Sequence, residues 1–171
     1  MTAATQDLSS AGVHATADME KGTVNVVAEI AAKPEAVFRA LTEPAEVVKW
    51  WGAEGVYRTE RFESDLRPGG KWMSYIAAPE GSEMSDMRTP EPQTVGGEYI
   101  TIDPPRLLEF TWSPSWDGFQ VTRVRYEIEP TAKGSRLTVI HTGFEARPEM
   151  VTPHGEGWVR VIGWLTEFVQ R

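Results

Sequence analysis

The side chains best suited to chemistry are few in this sequence and far apart. Histidine occurs at His14, His141 and His154, and cysteine does not occur at all. A neutral histidine is a competent general base near pH 7. His141 alternates with Val139 and Leu137 on one apolar face, which suits a hydrogen-bonded core residue or, with Tyr126, an acid–base candidate. His154 falls at the start of a C-terminal helical pattern, where the helix dipole disfavours a cation, and His14 lies in a polar N-terminal stretch. The absence of cysteine removes disulfides, thiolate nucleophiles, iron–sulfur clusters and Cys-based zinc sites. The histidines show no HExxH-type spacing, and a set of His141, His154 and Glu156 would have to assemble in space, so no metal site is expected. Pro68-Gly69-Gly70-Lys71 lacks the spacing and following helix of a phosphate loop, Gly96-Gly97 reads as turn chemistry at a strand start, and no G-x-S-x-G elbow is present. No cofactor is expected.

The aromatic residues are a stronger feature. Seven tryptophans, Trp50, Trp51, Trp72, Trp112, Trp116, Trp158 and Trp164, stand in 171 residues. Each offers a large apolar surface and one N–H donor. They fit either a tryptophan-rich core or an aromatic-lined cavity. The formal net charge of −8 argues against a nucleic-acid partner and against an anionic membrane surface. No apolar run approaches the roughly 20 residues of a membrane span, and the first residues show no basic-then-apolar leader pattern. A cytoplasmic protein is expected.

The elements that must position these residues follow from periodicity. Residues 1–22 lack regular apolar spacing and are expected to be a disordered tail, leaving 23–171 as one domain. Thr23 to Ile30 is β-branched and reads as a strand. Pro34 and Pro44 each open a short helix, the second running to Trp51 and stopping at Gly52. Alternating segments then follow at Thr59–Leu66, Lys71–Ala77, Thr94–Ile102, Leu107–Trp112, Val121–Glu129 and Arg136–Thr142. Between the second and third, residues 78–93 form a polar, acidic excursion whose Met84 and Met87 suit a soft lid. The last segment opens with Thr152 as cap and Pro153 at its first helical position. Trp158, Val161, Ile162, Leu165, Phe168 and Val169 form its apolar stripe. Gly163 weakens that helix unless a close contact with the sheet offsets it. A sheet with one apolar face needs a cover, and this helix is the long amphipathic one available.

Several short motifs occur in a telling order: the Pro34-led helix ending in Leu41-Thr42, Trp50-Trp51-Gly52, Pro68-Gly69-Gly70-Lys71-Trp72, Asp103-Pro104-Pro105-Arg106-Leu107, Phe110-Thr111-Trp112 and Gly157-Trp158. Together they make the chain resemble the Hsp90-ATPase-activator-homologue-like (AHSA1-like) branch of the START/Bet v 1, or SRPBCC, superfamily. The resemblance covers roughly residues 23–171. It implies an α+β helix-grip fold: a curved seven-stranded antiparallel sheet around a long C-terminal helix, two short helices after the first strand, and a cavity between sheet and helix. The co-chaperone that names the family carries a further large domain ahead of its homologous one, and only residues 1–22 stand there here, so Hsp90 is not expected as a partner.

The cavity so implied would be lined by Trp72, Phe110, Trp112, Tyr126, His141, Trp158, Ile162 and Leu165. Its expected occupant is a small hydrophobic or amphipathic molecule, held chiefly by apolar burial at roughly 25 cal/mol per Å². Two alternatives share the fold. One is a polyketide cyclase/aromatase-like enzyme with Tyr126 and His141 as its acid–base candidates. The other is a stress or co-chaperone-type interaction module, for which Trp50, Trp51 and Trp116 would have to form an exposed apolar patch. The pattern favours binding over turnover and leaves a homodimer open.

Overall fold

The computed structural model describes residues 5–77 and 93–171. The acidic excursion lies outside them, apart from Gln93. Strands β1 (Thr5–Asp7), β2 (Val13–Asp18) and β3 (Thr23–Ile30) lead into helices α1 (Pro34–Thr42) and α2 (Pro44–Trp50). A short β4 (Gly52–Ala53) is followed by β5 (Tyr57–Ser64), β6 (Lys71–Ala77), β7 (Gln93–Asp103) and β8 (Leu107–Pro114). Then come β9 (Thr122–Thr131), β10 (Gly134–Thr142) and α3 (Val151–Val169). All strands join one antiparallel sheet in the order β1-β2-β3-β10-β9-β8-β7-β6-β5-β4.

Among the described residues the sheet has ten strands where seven were expected. Part of the difference is at the N-terminus. Residues expected to be disordered form β1 and β2, and β2 pairs with β3 from Val13 opposite Ala28 to Asp18 opposite Thr23. Val13, Ala15 and Ala17 are buried while His14 and Thr16 are exposed. The alternation is present, but it is written in alanine, which carries little strand propensity. The third extra strand is the two-residue β4, which pairs with the start of β5.

The hairpin does structural work on the helix. Gly155 of α3 sits against Leu8, Val24 and Ala17, so a Cβ there would collide with the Leu8 side chain. Thr152 Oγ1 donates to Gln6 Oε1 at 2.9 Å instead of capping, and α3 begins two residues earlier than expected, at Val151 after Met150. Gly163, expected to make the close helix–sheet contact, faces open space. Deleting residues 1–18 should therefore lower stability by about 3 kcal/mol through lost burial of Val13 and its neighbours. A urea titration reads this as a fall in midpoint; an unchanged midpoint would show that β2 contributes nothing.

Two covers share the sheet's apolar face. Helix α3 lies over β2 and β3, and α2 lies against β5. They meet at a seam where Trp51, just after α2, and Trp158 of α3 bring their ring centroids to 5.9 Å in an edge-on contact.

Candidate functional site

An aromatic hollow opens beneath the α1–α2 corner. Leu41 of α1 and Trp51 after α2 form its roof. Phe62 of β5, Trp72 of β6, Tyr99 of β7, Leu108, Phe110 and Trp112 of β8, and Tyr126 of β9 form its floor and walls. No charged side chain is among these nine. Strand alternation explains the floor: Leu108, Phe110 and Trp112 are buried while Leu107, Glu109 and Thr111 between them are half-buried. The rings pack at the edge-on and tilted angles that aromatic quadrupoles favour. Trp72 lies 5.3 Å from Phe110 and 5.9 Å from Trp112, and Phe110 lies 5.1 Å from Tyr126.

The hollow is small. The centre of a water molecule can occupy about 20 Å³ of it, which is room for about one water. Of its lining residues, Trp51 alone is half-buried. Its indole N–H donates to the Tyr57 hydroxyl at 3.1 Å, and Tyr57 in turn packs edge-on against Trp164 at 5.6 Å. Burial pushes the Tyr57 phenol up to about 12, against the opposing effects of the Trp51 bond and the Arg160 charge.

Two tryptophans in the hollow differ in how their N–H groups are satisfied. Trp72 Nε1 donates across β7 to the Thr111 carbonyl at 3.2 Å. Trp112 Nε1 is buried without a hydrogen-bond partner, although the residue is only 7 % exposed. A buried donor left unpaired costs about 1–3 kcal/mol.

His141 belongs to a different layer. It is fully buried, and both ring nitrogens are engaged. Trp158 Nε1 can only donate, and it reaches His141 Nδ1 at 3.0 Å. The neutral ring therefore carries its proton on Nε2 and donates to Thr122 Oγ1 at 2.6 Å. The Thr122 hydroxyl in turn donates to the Trp112 carbonyl at 3.4 Å. Burial, reinforced by nearby His154, holds His141 well below the usual histidine range. His154 is also lowered by burial, against its Nδ1–H bond to the Met150 carbonyl at 2.9 Å and the attraction of Asp117. The Tyr126 phenol is raised well above its ordinary value by burial and by Tyr99, so at neutral pH it stays protonated.

The sequence model for activator of Hsp90 ATPase homolog 1-like proteins matches residues 31–170. The chain belongs to that family. The helix-grip architecture of the AHSA1-like domain is shared with solved structures from several bacteria. Protein Ms6760 from Mycobacterium smegmatis aligns at a TM-score of 0.73 and 22% identity, over 91% of this chain and 94% of that one. An AHSA1-like protein from Aeromonas hydrophila aligns at 0.69 and 19%, over 86% and 91%. CalU16 from Micromonospora echinospora aligns at 0.62 and 19%, over 98% and 87%. A comparison with curated proteins finds no match.

Within this AHSA1-like domain the expected site residues divide. Trp72, Phe110, Trp112 and Tyr126 converge on the hollow. Trp158 backs it, 5.5 Å from Trp112 and 6.0 Å from Tyr126. Ile162 and Leu165 are buried on α3 and His141 lies behind Trp112, and none of the three lines the hollow. The space thus adjoins the α1–α2 corner and receives no α3 residue. The reason is that α3 fills its own apolar stripe against the small side chains of β2 and β3. Leu41, Trp51, Phe62, Tyr99 and Leu108 complete the lining, and the inward alternation of Val95 and Tyr99 on β7 was the available sign for one of them. Trp50 is buried, its N–H bonded to the Ala40 carbonyl at 2.8 Å, and Trp51 and Trp116 are half-buried against the core. These three tryptophans form no exposed patch. Among the described residues, no helix is long and apolar enough to cross a membrane.

Proposed function

We propose that this protein binds a small, uncharged and mostly apolar molecule in the hollow beneath the α1–α2 corner. The observation that carries the reading is the convergence of aromatic side chains from five adjacent strands and the α1–α2 corner on one space with no charge among its described lining residues. A charged ligand would lose its hydration there without a partner. Access runs past Trp51, the half-buried roof residue held by one side-chain hydrogen bond. Ligand binding then enlarges a space that holds about one water when closed. Turnover by His141 is disfavoured because its ring is sealed behind Trp112 and both nitrogens are committed.

Native mass spectrometry of protein purified gently from its host tests the reading. A discrete added mass, lost on denaturation and released as a neutral molecule, is the expected result. Trp51→Ala should bind small aromatic probes faster than the wild type. A bare chain mass, together with tryptophan fluorescence that no small aromatic probe changes in either variant, overturns the reading.

A further inference from the structure

We propose that Trp112 determines specificity in this hollow: its indole N–H selects a flat molecule bearing a carbonyl-type oxygen over the corresponding hydrocarbon. The inference rests on the ligand-binding reading above and adds the polar chemistry that reading leaves open.

Three observations support it. Trp112 Nε1 is a buried donor with no acceptor, on a side chain more than nine-tenths buried. An indole N–H cannot accept, so the group it lacks must present a lone pair. The neighbouring rings Trp51, Trp72 and Trp158, with centroids 5.5–6.3 Å away, supply faces and edges but no acceptor. All but one of the other polar groups lining the hollow are already occupied, the Tyr126 hydroxyl being the exception. Trp72 Nε1 is bonded to Thr111, and the Tyr99 hydroxyl is paired with Ser64 Oγ at 2.7 Å. The acceptor must also be uncharged, because among the described residues no cation lines the space to balance a carboxylate or phosphate. A ketone, aldehyde, amide or quinone oxygen on a planar ring meets all of these requirements.

The probes are 1-indanone and indane, which share a skeleton and differ in the carbonyl. Both are titrated by calorimetry into wild type and Trp112→Phe, with protein carrying ¹⁵N-labelled indoles followed by NMR in parallel. The two probes differ in their affinity for water, and that difference cancels when the ratio of their affinities is compared between the variants. The ratio should shift about tenfold against indanone in Trp112→Phe, the effect of one hydrogen bond to an otherwise unpaired donor. In wild type the Trp112 indole N–H resonance should move downfield with indanone and not with indane. This second readout holds even if the variant fails to fold. Binding of both probes with an unchanged ratio, or with no downfield movement, overturns the role of Trp112 and leaves ligand binding standing. Failure of both probes to bind wild type overturns the ligand reading, and the anchor falls with it.

Discussion

Replacing Gly97 by alanine should destabilise the fold by about 3 kcal/mol, at the upper end of what overpacking usually costs. The reason is space: a Cβ on Gly97 would stand 2.6 Å from the Thr111 carbonyl carbon and 2.5 Å from Thr111 Oγ1, and closer still to the Thr111 carbonyl oxygen. Backbone cannot step aside as the end of a long side chain can. The crowding arises because Thr111 is diverted from the ordinary ladder. Its hydroxyl accepts the Glu98 N–H at 2.9 Å, and its carbonyl accepts the Trp72 indole N–H reaching over from β6. Trp72 stands directly opposite Gly97 in the register, so the glycine is the gap through which the indole passes. The same substitution should disturb the hollow, because Trp72 and Trp112 both line it. Thermal unfolding followed by near-ultraviolet circular dichroism checks both effects. A variant with an unchanged midpoint and unchanged aromatic signal would refute this account of the β6–β8 junction.

Mild acid should weaken the protein well before its carboxylates titrate. Above pH 6.5 the His141 ring is neutral both folded and unfolded, and folding is indifferent to pH through this group. Below pH 6.5 the unfolded chain takes up a proton that the folded protein refuses, because the buried ring is held well below its ordinary value. Stability therefore falls as the pH drops from 6.5 toward the folded-state pKa, by up to about 1.4 kcal/mol per pH unit from this residue. His154, lowered in the same direction, adds to the slope. Phe144 packs 4.7 Å from both rings, while the charge of Asp117, paired with Arg147 at 2.6 Å, partly offsets the shift at His154. Urea unfolding at pH 7 and pH 5 measures the loss. His141→Gln should flatten most of the pH dependence, and an equally steep dependence in that variant would assign it elsewhere.

Much of the architecture was legible because periodicity reports burial. The strand at Thr23–Ile30 and the one at Lys71–Ala77 fall where alternation put them, and Pro34 and Pro44 open the two short helices. The N-terminal hairpin was not legible, since Ala15 and Ala17 mark an inward face without the bulk or β-branching that announces a strand. The site was half legible. Alternation on β8 and β9 correctly turned Phe110, Trp112 and Tyr126 inward. An apolar helical stripe says that a helix is covered, not which part of a curved sheet covers it. Ile162 and Leu165 were therefore expected at the hollow and are buried on α3 outside its lining. Trp51 is the converse case: it was weighed only as part of an exposed patch with Trp50 and Trp116, and it lines the hollow instead.

The placement of β3 has a consequence during synthesis. This strand lies inside the finished sheet, third from one edge, and one of its two neighbours is β10, with Val26 opposite Val139. When β3 leaves the ribosome its partner has not been translated, and only β2 is available to it. The apolar face and open edge of the β2–β3 ribbon must wait until β10, which begins only at Gly134, and α3 have been translated. Long-range pairing of this kind slows folding and leaves nascent chains open to misassembly. The late-arriving segment that completes the sheet is thus the step at which a chaperone would have most to protect.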